Sequence, residues 1–579
     1  MEMAGSLRDA LSGIDDDAIL SIKGISQFRK LDLLNIKYGE TVINKAELRK
    51  SGYYYRDKRV LNLAAKDIAA VKTFDISDGR LLIEGLLRAS ASGRSYECVA
   101  ADENGKEYPV SLRRYEKGDI KGFFGETLVC GEIFSLSMPV SDGSRITFHL
   151  KIDGQTVKLK PGFAKYTNIR TKEKFHYCRE DGYLVRTDNG TIMFRKDNLK
   201  NRIAAEVKLA EALKRNKVPN WQMQRAKEIR LEKAIYNNNI RKQAAFVTVR
   251  SDGELADNIA EVYAKTHCPK AFYAAKDTRA DIDKKIEAAK IVYSSKVVVT
   301  DDYYPLFKEN RKHKGQYYIQ LWHAAGAFKR FGNNASNQIP SADAMSHRDY
   351  DLVVTSGEKI NAIYADAFQV DVSKVQALGT PRTDKFFDGQ YVESRKKLVY
   401  DNYPQLKGKR VIVYAPTFRE KGTSRSYLPN IDYKAVDDAL SEDQVFVICP
   451  HPLMGEDDGE WNYDKIMLVQ DVSTADMMLI ADLLITDYSS IIFDYSLLNK
   501  PMAFFCYDYD TYERDFYLDY DTELPGEIFK NIDELTDYLR KGIFETDRRL
   551  TDFRNSYMSA CDGHSAERVA KAIEELLDK

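Results

Sequence analysis

No run of about 18 apolar residues occurs in the 579-residue chain, which argues against a bilayer-spanning helix. The opening stretch, MEMAGSLRDALSGIDDD, lacks the basic-then-apolar pattern of a secretory leader. Cysteine is sparse: Cys98, Cys130, Cys178, Cys268, Cys449, Cys506 and Cys561 form no CxxC pair. Their odd number and wide spacing argue against a disulfide framework and a zinc site, and for a reducing compartment. Neither sign of charge is in excess, since 87 Lys and Arg face 88 Asp and Glu. The chain as a whole is therefore neither a polyanion binder nor an acidic tail. A cytosolic, soluble protein is the default expectation, and the abrupt start reads as that of a piece of something longer. The hydrophobic content of 44% supports ordinary cores, and the length predicts roughly three to four domains.

Along the chain four patterns follow one another. Residues 1–70 read as a helical N-terminal segment without visible chemistry. Residues 71–194 hold short alternating runs, such as RLLIEGLLRAS and ITFHLKIDG, between Asp-Gly and Asn-Gly turns. This spacing predicts a small β-sandwich-like accessory domain, with His149 and His176 as ordinary sheet histidines. Residues 195–243 read as a basic amphipathic helical linker. From Arg195 to Lys242 fourteen Lys or Arg stand against five acids, with Ile203, Val207, Ala210 and Leu213 at helical spacing and Trp221 beyond. Such helices can lie on an anionic membrane surface or serve as a solvated linker, and both readings stay open. No recognition motif accompanies the charge, so nucleic acid is not expected. From Ala244 onward strands alternate with helices, which implies parallel sheets. About 330 residues exceed one such sheet, so two doubly wound domains are expected, over 244–395 and 396–579.

Ligands of open α/β sheets bind outside the carboxyl ends of the strands. That rule selects four segments. His323 follows the strand of YYIQL, His451 follows that of VFVIC, Thr417 and Arg419 follow that of RVIVYA, and Ser489 and Ser490 follow LLIT. In LLITDYSSIIFDY a strand passes through Asp487, Tyr488, Ser489 and Ser490 into a helix, which offers hydroxyls and free N–H groups to an anion. The bland alternative is a Ser N-cap with no ligand. Two histidines without Cys or carboxylate at ligand spacing make a poor metal site; they suit a general base and a phosphate stabiliser. No DxD-like acidic pair sits at a strand end, so neither metal nor cofactor is expected. Asp487 reads as a cap or hydroxyl orienter.

The motifs LWHAAGAFKRFG, LGTPRTDKF, YAPTFRE, CPHP, ITDYSSIIFDY, KPMAFFCYDYDTYERDFYLDY and LPGEIF occur in that order. Over about residues 244–575 they closely resemble the CDP-glycerol:poly(glycerophosphate) glycerophosphotransferases of teichoic acid and capsule polymer biosynthesis. The resemblance implies a GT-B pair of Rossmann-type domains, with the acceptor in the first and a CDP-activated polyol phosphate in the second. It assigns His323 and His451 as catalytic, and Ser489, Ser490 and Arg514 to the donor phosphates, where Thr417, Arg419 and Asp487 also stand. Asp515 occupies a position that is glycine in the family, and Ala324-Ala325 replace the common Gly-Thr. The implied reaction is attack of an acceptor hydroxyl on the β-phosphorus of CDP-glycerol or CDP-ribitol, with loss of CMP. The acceptor would be a polyol-phosphate or saccharide polymer, lipid-linked at the inner face of the cell membrane, which makes the enzyme peripheral there. A homo-oligomer stays open. The competing readings are a GT-B glycosyltransferase using a nucleotide-sugar and a non-catalytic polymer-binding module.

Overall fold

A computed structural model describes residues 8–579 apart from 24–26, 41, 43–46, 50–51, 63–68, 78, 91–95, 116–119, 122–126, 153–154, 160–161, 164–174, 181, 189–190, 216–218, 237, 280, 335–345, 418–419, 422–423, 426–430, 451–461, 510–511 and 513–515. Internal contacts divide the chain into two units. One is Met1–Glu228 with Lys308–Arg311 and Asn337–Met345; the other is Ile229–Phe307, Lys312–Ser336 and Ser346–Lys579.

The first unit corrects the expectation of a helical residue 1–70 segment. Helices Asp16–Ser21 and Gln27–Tyr38 are followed by an antiparallel sheet of Glu47–Arg49, Gly52–Tyr55 and Lys58–Asn62. The cause is local: Arg56 and Asp57 both take positive φ, 49° and 62°, the backbone of a two-residue hairpin whose twist matches its flanking strands. The Tyr53–Tyr55 run favours strand. Beyond it lie a six-stranded and a seven-stranded sheet, antiparallel except for the pair Gly162–Phe163 with Ala69–Ser77. One buried cluster draws on both, with Leu81, Ile83, Phe134 and Leu136 from the first and Phe148, Leu150, Ile192 and Phe194 from the second. The helix Leu199–Arg215 follows directly on the strand Thr191–Lys196.

The second unit contains two parallel sheets. Across the first, the strands run Lys270–Ala274, Arg241–Thr248, Ser295–Thr300, Tyr317–Gln320, Tyr350–Val354 and Val375–Gln376. Across the second they run Ile466–Leu468, Gln444–Ile448, Arg410–Ala415, Leu483–Thr486, Met502–Phe505 and Gly526–Phe529. The central strands of both sheets are almost wholly buried, which is why they read as continuous apolar runs rather than alternating ones. In each sheet the order reverses once, and the strand ends diverge there to leave a crevice. The reversal falls between Arg241–Thr248 and Ser295–Thr300 in the first sheet, and between Arg410–Ala415 and Leu483–Thr486 in the second.

The closing helix, Ser565–Asp578, departs from the expected 396–579 grouping, because it packs on the first sheet. Its Val569, Ile573 and Leu577 lie in one cluster with Ala244, Phe246, Ile259 and Leu352. These three recur every fourth residue, a stripe that needs apolar cover, and Glu574 accepts a hydrogen bond from the His267 amide.

Candidate functional site

At the crevice of the second sheet, the chain leaves Ala415 through Pro416 to Thr417 and leaves Thr486 through Asp487. The Thr417 amide and hydroxyl both donate to Asp487 Oδ1, at 2.8 and 2.6 Å. The Tyr488 amide donates to the same oxygen at 2.6 Å. Asp487 is fully buried, so its carboxylate acts as a clasp that holds the two strand ends at a set spacing. Ser489 and Ser490 follow, half-buried, and Ser489 Oγ accepts from the Ile491 amide at 3.4 Å. The helix they open is short, Ile491–Ser496, and Ser490 forms no side-chain cap bond. Hydroxyls and turn amides, rather than a long macrodipole, are what this turn offers an anion. Behind it Tyr488 stacks on Tyr512 with ring centroids 3.8 Å apart, and Phe516 and Tyr520 complete an aromatic wall.

At the crevice of the first sheet stand Thr248, Arg250, Asp301, Asp302 and, one strand over, His323. His323 Nδ1 lies 3.3 Å from the Asp301 carbonyl oxygen and 3.6 Å from Asp302 Oδ2. A carbonyl oxygen only accepts, so Nδ1 carries the proton and Nε2 keeps the lone pair. Burial holds the ring's pKa down at about 4, opposed by Asp302 and assisted by Arg250. The imidazole is therefore neutral at physiological pH, yet its side chain stays 30% exposed. That is the state a proton acceptor needs. Asp301 is buried, which pushes its carboxyl up to about 7. Arg250 lies 3.6 Å from Asp302 and 3.7 Å from Asp257. Trp322, packed against the His323 ring with centroids 4.2 Å apart, takes a positive φ of 55°. Strain of this kind persists only where surroundings enforce it. Here the enforcers are the Gln320 carboxamide, accepting from the Trp322 amide, and Asn258, donating to its carbonyl.

Arg382 joins the two motifs. Its Nη1 donates to the His323 carbonyl at 2.6 Å and its Nη2 to Asp494 Oδ2 at 2.7 Å, while its amide donates to Asn258 Oδ1. Asp494 belongs to the Ile491–Ser496 helix, so one guanidinium fixes the backbone at His323 against the helix that Ser489 and Ser490 open. Gly326 is the second contact. With φ +62°, a Cβ there would sit 2.4 Å from the Phe493 ring, so only glycine lets the turn after His323 lie against that helix. Gly326→Ala is expected to lower stability by about 1–3 kcal/mol, read as a shifted denaturant midpoint; an unchanged midpoint would refute this account of the turn. Ala325 is buried beside it, and Tyr364 donates its hydroxyl to the Ala324 and Gly326 carbonyls. The loop continues to Phe328, whose carbonyl accepts from the Tyr517 amide.

Of the residues selected from sequence, His323, Thr417, Asp487, Ser489 and Ser490 occupy strand ends at or beside the two crevices. His451, Arg419, Arg514 and Asp515 lie outside the described residues. Arg250, Asp301, Asp302, Arg382 and Asp494 were not selected. The strand-end rule that finds His323 also finds Asp301-Asp302 in VVVTDD, because both strands stop at the same edge; this corrects the expectation that no acidic pair stands at a strand end. Arg382 and Asp494 are 112 residues apart, and no local pattern links them.

Residues 226–575 match the family described as CDP-Glycerol:Poly(glycerophosphate) glycerophosphotransferase. The teichoic acid poly(ribitol-phosphate) polymerase of Bacillus spizizenii is 37% identical over 290 residues, covering 48% of this chain and 46% of that protein. The teichoic acid ribitol-phosphate primase of the same organism is 36% identical over 294 residues, 49% of this chain and 75% of that protein. The chain thus spans about half the length of the polymerase. The solved structure of the wall teichoic acid polymerase TagF superposes with a TM-score of 0.51 at 21% identity, covering 62% of this chain and 96% of that one, a likeness of fold.

Proposed function

The chain belongs to the CDP-glycerol:poly(glycerophosphate) glycerophosphotransferase family, and from that membership we propose that it moves a polyol phosphate from a CDP-activated donor to a hydroxyl of a teichoic acid-like polymer. The observation that carries the reading is His323: neutral, part-exposed, and tethered through Nδ1 so that Nε2 is the basic nitrogen. In the proposed step an acceptor hydroxyl attacks the donor's β-phosphorus. A new O–P bond forms, the bond from that phosphorus to the bridging oxygen breaks, CMP leaves with the electron pair, and the hydroxyl proton passes to His323 Nε2. We assign residues 244–395 to the acceptor and the second sheet's crevice to the donor, in a GT-B-like arrangement. Ser489, Ser490, Arg419, Arg514 and His451 would hold the diphosphate and offset charge on the departing CMP, with Thr417 and Asp487 clasping the two strand ends that lead to Arg419 and to the serines. Arg250 and Asp302 would hold His323 in register.

Incubating the protein with CDP-glycerol and CDP-ribitol separately and following CMP tests this directly. Both donors are needed because the two relatives named above are ribitol-phosphate enzymes. Release with either supports the reading; release with neither, alongside turnover of a nucleotide-sugar, would move the chain to the glycosyltransferases. Arg514→Ala is expected to weaken donor affinity by roughly 1.5–3 kcal/mol, the worth of a charge-assisted hydrogen bond. Unchanged donor affinity with weakened acceptor affinity would reverse the assignment of the two halves.

The acceptor is proposed to be lipid-linked, and the basic helices to bring the enzyme to an anionic membrane at its cytoplasmic face. Among the described residues no helix is long and apolar enough to cross a bilayer. On Leu199–Arg215 the residues Leu199, Ile203 and Val207, four apart, are 73%, 56% and 52% exposed. Exposed apolar stripes on basic helices favour an interface, and each Lys or Arg near an anionic surface adds about 1 kcal/mol. Co-sedimentation with anionic but not neutral liposomes, released by salt, is the expected result. Replacing Lys208, Lys214, Arg215 and Lys217 with Gln should reduce it without slowing turnover on a short soluble acceptor. Salt-insensitive binding, or none, would leave these helices as a linker.

A further inference from the structure

We propose that the first unit carries an anion site of its own, a recess that takes a phosphodiester unit of a polyol phosphate chain. The recess, of about 210 Å³, is built between the strands Arg145–Ile152 and Thr191–Lys196 and the helix Leu199–Arg215. Arg145 lies directly across the ladder from Met193, and Arg195, two residues on, points to the same face. Asn201, Ala204, Ala205 and Lys208 line it from the helix, at spacings that put all four on one face. Two alanines where the helix crosses the sheet leave the gap open. Gly143, at φ +98°, lets the chain turn beneath Arg195, whose Nη1 sits where a Cβ would come within 3.4 Å.

The charges are what give this recess a ligand class. Among the described residues no carboxylate pairs with the side chain of Arg145, Arg195 or Lys208. Two neighbouring arginines do have carboxylate partners: Arg202 pairs with Asp197, and Arg225 with Glu206 and Glu228. A single unpaired surface cation is ordinary, whereas three converging on one concavity offer bidentate and point-charge donors to a phosphate. Leu184 and Met193 supply an apolar side that suits the carbon backbone of a polyol. The volume falls below that of sites for drug-sized ligands, and a concave recess receives an extended chain more readily than a flat bilayer. The favoured occupant is therefore the anionic polymer rather than a lipid surface. This rests on the reading of the acceptor as a polyol phosphate chain, but its test needs no turnover.

The experiment titrates a fluorescently labelled, soluble poly(glycerol phosphate) oligomer into the full chain at low salt and follows anisotropy. Arg145→Gln with Arg195→Gln is expected to weaken binding about tenfold, and added salt should weaken the parent's binding. Arg145→Lys with Arg195→Lys should retain most of it. Both positions are exposed, so the unfolding midpoint should be unchanged. Unaltered affinity in the glutamine variant overturns the proposal. So does loss of binding only to anionic vesicles, which would assign the recess to a lipid headgroup. CMP release, measured on the same preparations, separates the two failures. Its absence with intact, arginine-dependent chain binding refutes the activity and keeps the site; the reverse refutes the site alone.

Discussion

His323→Ala is expected to lower turnover by at least about a hundredfold, the lower range for loss of a general base, while leaving the protein folded. The fold should tolerate it because Arg382 bonds to the His323 backbone carbonyl, which alanine retains, and the ring itself is part-exposed. His451→Ala should give a comparable loss. The pH profile adds a sharper reading. Burial lowers the His323 pKa to about 4, so the neutral base persists as pH falls, and protonation should cut the rate only on approach to that value. An unperturbed histidine would lose activity through about 6.5. Asp302 raises the His323 pKa, so Asp302→Asn should move the acid limb lower still. Near-normal turnover in the His323 variant would remove the mechanism, and an acid limb near 6.5 would show that the ring is solvated during turnover.

The second large effect is expected at Arg382. Its pairing with Asp494 is enclosed, with side chains 15% and 12% exposed, and removing one partner of such a pair strands the other as an uncompensated charge. Arg382→Met should therefore cost about 3–5 kcal/mol, read as a shift in the denaturant midpoint at constant m-value. Replacing both, Arg382→Met with Asp494→Leu, should recover most of that loss, because no stranded carboxylate remains. Turnover should nevertheless stay low in the double variant, since the tie from the His323 carbonyl to the serine-bearing helix is gone. A single variant within about 1 kcal/mol of the parent would show that Asp494 finds solvent or another partner, and that the ion pair is not what joins the motifs.

Legibility from sequence follows the range of the forces involved. Apolar runs of four to eight residues separated by helical stretches encode parallel sheets, because strands buried on both faces must be apolar throughout. The chain beyond Ala244 was readable on that ground. Strand ends also follow from local pattern, and with them the positions of His323, Thr417, Ser489 and Ser490. The hairpin at Arg56-Asp57 was missed because two residues at positive φ carry no Gly or Asn to announce them. The place of the closing helix was missed because its stripe states only that cover is needed, and the sheet supplying that cover lies about 300 residues earlier.

By itself, then, the amino-acid sequence determined which residues stand at strand ends and which chemistry those residue types can perform. Tertiary structure alone decided what state they are in. The protonated nitrogen of His323 depends on a carbonyl 22 residues away, and its low pKa on burial by elements distant in sequence. The burial of Asp487, and its bonds from the Thr417 amide and hydroxyl, make of a residue read as a cap or hydroxyl orienter a clasp between two strand ends. The joining of His323 to Asp494 needs Arg382 to enter from a third segment. Hydrogen bonding and desolvation act over a few ångströms in space, whatever the distance along the chain.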